Sequence, residues 1–181
     1  TVLVSAFAGW PDASESATRA ARYLIRELHA TRFAAIDPEE FYDFTQLRPD
    51  VSNGPDQQRV LSWPKNEFYA WHSADEAKRD LVVFVGAEPH LRWRRFSSLV
   101  MEVVEACEVE LMVTLGALLD AVPHTRPALV TKSATTEKLG DGFEALKFGP
   151  SRYEGPTGIM SVVIDAMASR DIPVASLWGH A

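Results

Sequence analysis

Cysteine is almost missing from this chain: Cys107 stands alone among 181 residues. One thiol closes no internal disulfide and supplies no Cys-rich zinc site. Positive charge is also short, with 18 Lys and Arg against 25 Asp and Glu for a formal net charge of −7. That balance excludes the clustered basic face that phosphate-backbone binding requires, so no nucleic-acid partner is expected. No apolar run reaches the roughly 18 residues of a membrane-spanning helix, so no membrane partner is expected either. The sequence carries no Gly-x-Ser-x-Gly elbow, no His-Glu-x-x-His pair and no Walker loop. No metal and no cofactor are therefore expected. With no basic-then-apolar leader ahead of Thr1, the expected compartment is the reducing cytoplasm.

What is present is globular, at 46% hydrophobic and 24% charged residues. The chain opens on a β-forming run, Thr1 to Ala8, broken by Gly9-Trp10-Pro11. Asp12 and Glu15 have the spacing of a capping box. Ala17, Ala20, Ala21, Leu24, Ile25 and Leu28 then share one helical face. Phe33 to Ile36 reads as a second strand. Residues 37–58 hold Pro38, Pro49 and Pro55 and read as a long polar loop, beyond the usual connection of about 4–6 residues. Val60–Trp63 and Glu67–Trp71 flank Pro64-Lys65-Asn66, which predicts a hairpin over 60–72 inserted at a sheet edge.

Leu81 to Val85 is five β-formers without alternation, the pattern of a strand buried on both faces. A helical stripe follows through Trp93, Phe96, Val100, Val103, Val104 and Cys107, which makes Cys107 a core residue rather than a nucleophile. Leu111–Leu115, Ala128–Thr131 and Val174–Leu177 read as strands, and Gly158–Ala168 as a helix. Alternating strands and helices predict one α/β domain over 1–181, a three-layer α/β/α with a mostly parallel sheet.

Ligands of such sheets bind beyond the carboxyl ends of the strands. The residues placed there are Trp10 and Asp12 after the first strand, and Glu88, Trp93 and Arg94 after the Leu81 run. His124 and Arg126 follow the Leu111 run, and Tyr153, Gly155, Thr157 and Gly158 precede the last helix. Together they make a candidate ligand or interface rim. Gly155-Pro156-Thr157-Gly158 could cradle an anion at a helix start, or it could be a tight loop with proline near a helix N-terminus. Glu88 and His124 could be an acid–base pair, or Glu88 could be paired with Arg126 or Arg94. His124 to Pro127 could equally be a structural turn. The residues alone assign no catalytic group.

Eight segments in order resemble one known family across nearly the whole chain. They are Gly9-Trp10-Pro11-Asp12-Ala13; Phe41-Tyr42-Asp43-Phe44 with Arg48-Pro49; Trp63-Pro64-Lys65-Asn66; and Gly86-Ala87-Glu88-Pro89 leading into Trp93-Arg94. The later ones are Leu115 to Leu119, Val122 to Pro127, Tyr153 to Gly158 and Ser176-Leu177-Trp178. The chain resembles the proteasome assembly chaperone 2 family in its bacterial, actinobacterial-like branch. The resemblance implies a fold of the phosphorylase/nucleosidase-like group, self-association as a homo-oligomer, typically a trimer, and proteasome-related subunits as partners. It implies a non-enzymatic role in assembling or scaffolding protein complexes. The alternative is an enzyme or sensor for a phosphate- or nucleoside-type small molecule at the polar rim. The branch's pattern runs on past Trp178, so a C-terminal extension is expected to be absent from this chain. The ending Gly179-His180-Ala181 lacks the hydrophobic–Tyr–any tripeptide through which some relatives dock.

Overall fold

In a computed structural model of the chain, the structure describes residues 1–75, 78–121, 123, 125–127, 129–136, 139 and 153–181. In chain order, β1 is Val2–Ala8, α1 Ser16–Glu27, β2 Thr31–Ala35, β3 Asp50–Asn53, β4 Arg59–Ser62 and β5 Glu67–Trp71. They are followed by β6 Leu81–Ala87, α2 Trp93–Ala106, β7 Leu111–Leu118, β8 Val130–Ala134, α3 Ile159–Ala168 and β9 Val174–His180.

Successive side chains of β1 point to opposite faces, and both faces are buried. Leu3 and Phe7 enter one core with α2 and α3, while Ala6 enters a second, smaller one beneath α1. In β6, Val82 and Phe84 face the first core and Val83 and Val85 the second. Two-sided burial explains why these strands read as continuous apolar runs. Phe84 is the hinge of the larger core, with ring centroids 5.0 Å from Phe7 and 4.6 Å from Phe68. Each such fully buried ring stabilises the fold by about 1.5–3 kcal/mol. Below α1, Ala17 and Ala21 let the helix lie close against the sheet. One helix on one face and two on the other complete the three layers.

The seven-stranded sheet runs β2-β5-β6-β1-β7-β9-β8. The four central strands, β6, β1, β7 and β9, are parallel, whereas β2, β5 and β8 join antiparallel. The sheet is thus parallel at its centre and antiparallel at both edges.

Several local expectations are corrected. Val60–Trp63 and Glu67–Trp71 do not pair with each other; β4 pairs with β3, and β5 enters the main sheet between β2 and β6. The reason is Phe68, fully buried against Phe84, which draws β5 into the core. The 37–58 segment is not simply a polar loop. It contains β3, and Phe41 and Tyr42 are buried in the main core. Asp12 and Glu15 form no capping box: α1 starts at Ser16 after a 3-10 turn, Ala13–Glu15, and Glu15 pairs instead with exposed Arg19. The strand expected at Ala128–Thr131 is displaced to Val130–Ala134.

Candidate functional site

The carboxyl ends of β1, β6 and β7 are tied together by backbone. Glu88 N–H donates to Ala8 O at 2.8 Å, and Ala117 N–H donates to Pro11 O at 2.8 Å. These bonds bring Gly9, Trp10 and Glu88 to one place at the end of the sheet. Gly9 has φ +112°, a conformation that suits glycine, and its α-carbon faces the Glu88 side chain.

From there Glu88 reaches the start of α3. Its Oε1 accepts the Ile159 N–H at 2.8 Å. A Cβ on Gly158 would lie 2.5 Å from that oxygen and 3.5 Å from the Trp10 ring. Trp10, Glu88 and Gly158 therefore lie together at the start of α3. Their arrangement is a helix cap: the free amide of the first helical turn, which would attract an external anion, already holds a carboxylate of this chain.

Behind Glu88 lies a buried network that the sequence reading misses. The Tyr42 hydroxyl sits 2.7 Å from Asn66 Oδ1 and 2.6 Å from Ala87 O, so its one proton serves two acceptors. Asn66 Oδ1 also accepts the Ala87 N–H at 3.1 Å. Gly86 leaves room for this, because a Cβ there would lie 2.5 Å from Asn66 Oδ1. Burial pushes the Tyr42 hydroxyl well above the ordinary tyrosine range. The Glu88 charge adds to that push, and the Asn66 hydrogen bond opposes it. Tyr42 is a neutral strut here, tying Asn66 to Ala87. The signal available in the sequence was Asn66 itself, a polar residue beside an apolar strand.

The other rim residues do not join this centre. Asp12 is buried and turned to α1, accepting the Ala17 and Thr18 N–H groups at 2.8 and 3.2 Å and the Thr18 hydroxyl at 2.5 Å. Trp93 donates its indole N–H to Pro89 O at 2.6 Å. Arg94 and Arg126 are exposed, and among the described residues neither forms an ion pair with Glu88. Tyr153 donates to Pro156 O at 2.8 Å, closing the loop that holds Gly155. Thr157 hydrogen-bonds Ser161 in the first turn of α3. His124 lies outside the described residues.

Several large side chains that follow these strands or precede α3 are exposed. Trp10 is 66% exposed, Tyr153 64% and Leu119 81%. Large exposed side chains of this kind are characteristic of contact surfaces between proteins. Among the described residues no group of three or more His, Cys, Asp and Glu could hold a metal ion, and no helix is long and apolar enough to cross a membrane.

Comparison with known proteins places these features in context. The model of the PAC2 family matches residues 6–181. A PAC2 family protein from Streptomyces avermitilis is 38% identical with a TM-score of 0.89, over 99% of this chain and 75% of that one. A proteasome-assembly chaperone homologue from Mycobacterium tuberculosis is 34% identical with a TM-score of 0.87, over 100% of this chain and 75% of that one. The archaeal proteasome activator PbaB of Pyrococcus furiosus shares the fold, at 20% identity and a TM-score of 0.76, over 99% of this chain and 74% of that one. No curated protein matches the chain.

Proposed function

The chain belongs to the PAC2 family, and from that premise we propose that it is a proteasome-assembly-chaperone-like protein that works by binding. It self-associates as a homotrimer in the cytoplasm and engages proteasome-related subunits through the large exposed side chains at this end of its sheet. The observation that carries this reading is Trp10. The indole is two-thirds exposed beside a Glu88 carboxylate that is already spent on capping α3. A phosphate-type ligand at the same helix start would have to displace that carboxylate or lie against it, and like charge disfavours both. An exposed tryptophan beside a carboxylate that is already hydrogen-bonded suits a hot spot of a protein interface.

Native mass spectrometry tests this on the chain alone and mixed with proteasome α subunits from the same source. A homotrimer that also forms a defined complex with those subunits is the expected result. Trp10→Ala should weaken that complex by about 30-fold, the equivalent of a hot-spot loss near 2 kcal/mol. An oligomer that ignores the α subunits would overturn the partner, and a monomer would overturn self-association.

A further inference from the structure

Away from the Glu88 cap, three side chains from separate segments meet in a line. His180, near the end of β9, places Nδ1 2.7 Å from Asp120 Oδ2 and Nε2 2.5 Å from the Thr131 hydroxyl. In the tautomer with a proton on Nδ1 and none on Nε2, the ring donates to the carboxylate and Nε2 can accept the threonine proton. The sheet builds this line. Thr131 is paired with Trp178, and His180 lies two residues further on, so both side chains stand on one face. Asp120 is held in place because its N–H donates to Ala181 O at 3.0 Å.

Thr131 is exposed and so open to a reactant, the His180 side chain is only 12% exposed, and Asp120, at 44%, keeps its carboxylate partly in water. The hydrogen bond from His180, aided by the Ala121 N–H, holds the Asp120 carboxyl below its ordinary range. A hydroxyl bonded to an imidazole that is itself oriented by a carboxylate is the arrangement that activates an oxygen nucleophile. Among the described residues two leucines border the line: Leu118 is paired with His180 in the sheet, and Leu129 accepts the His180 N–H through its carbonyl. Both leucines are exposed.

We propose that Thr131, His180 and Asp120 form an acyl-accepting site for activated esters of apolar carboxylic acids. Thr131 Oγ1 attacks the ester carbonyl carbon as its proton passes to His180 Nε2. The bond to the leaving group then breaks, and His180 returns the proton to the departing oxygen, leaving an ester on Thr131. Water hydrolyses that ester by the same route, its proton going to Nε2 and then to Thr131 Oγ1. Thr131 and His180 touch the reacting atoms, and Asp120 is a positioning residue. The site is independent of the binding function proposed above and stands or falls separately.

The test treats the full chain with p-nitrophenyl acetate and p-nitrophenyl octanoate, follows nitrophenolate release and maps the acyl group by peptide mass spectrometry. One acyl group on Thr131 is expected, lost in Thr131→Ala and His180→Ala and kept in Thr131→Ser. Asp120→Asn should slow acylation by about a hundredfold or more, the lower end of what general-base catalysis contributes. Asp120→Glu should recover part of that loss, which a purely structural tie between strands would not do for reactivity. Octanoate should react faster than acetate. Acyl groups on lysines alone, or equal release by wild type and a folded His180→Ala, would overturn the proposal. If the alanine variants fail to fold, an unmodified Thr131 in the wild-type map overturns it equally.

Discussion

Tyr42 is the residue at which the buried layer behind Glu88 can be read by pH. Its hydroxyl is buried against Asn66 and Ala87, and burial raises its pKa in the folded chain. In the unfolded chain the group ionises near the ordinary value of about 10. Above that pH the unfolded chain releases a proton that the folded chain keeps, so Tyr42's contribution is complete below about pH 10 and is lost as pH climbs beyond it. Tyr42→Phe should cost about 1–3 kcal/mol at neutral pH, because it leaves a buried carbonyl short of a donor. The gap between wild type and variant should then narrow in urea titrations above about pH 10. A gap that stays constant would mean the hydroxyl ionises alike in both states. Tyr69, raised to about 12 chiefly by partial burial and then by its bond to Glu67, remains in both proteins and cancels in the comparison. Neighbouring residues show how much of the site the sequence could reveal. Gly9, Trp10, Glu88 and Gly158 were legible because each follows or precedes a clear apolar element. Asp12 was legible as a cap but not as a residue facing away from the rim, since one turn of backbone decides that direction.

Among the elements, the β3–β4 hairpin is the weakest. All eight of its residues are exposed, and it forms its own two-stranded sheet. Such a ribbon is marginal without a third layer. Val51 and Leu61 stand opposite each other with apolar side chains in solvent, and just past β4 Trp63 packs against Phe44, 4.8 Å between ring centroids. The amides of β3 and β4 should therefore exchange with solvent orders of magnitude faster than those of β1, β6 and β7, measured by hydrogen exchange on the isolated chain. Protection equal to the central strands would show the hairpin covered in solution. The sequence placed the turn at Pro64-Lys65-Asn66 and so paired the wrong strands. Pro64-Lys65-Asn66 looks like a tight turn, but Asn66 is a buried hub, and its carbonyl accepts the Ile36 N–H that stitches β2 to β5. Partner choice between strands depends on such distant contacts, which spacing along the chain does not encode.

At the scale of the whole molecule, the layers were legible for a simple reason. Strands buried on both faces write unbroken apolar runs, and β1, β6 and β7 are such strands. The antiparallel edges were not legible, because β2 and β8 are half-exposed and carry little of that signal. The same contrast has an energetic consequence. The larger core spans β1, β6, β7, β9, α2 and α3, and the smaller one shares β1 and β6 with it. Because β1 and β6 each carry side chains of both cores, the two should melt together. Equilibrium unfolding in urea should be a single transition, coincident by far-UV circular dichroism and by the near-UV signal of packed aromatics. Gly116→Ala sharpens the test. A Cβ there would lie 2.6 Å from the Trp178 ring, which β9 lays across β7. Overpacking at that contact should cost about 1–3 kcal/mol, and if the domain is one unit, both signals should shift together by the same amount. A near-UV midpoint that moves alone would show that β9 and β8 unfold as a separate flank. The His180 line and the sheet's centre would then differ in stability as well as in position.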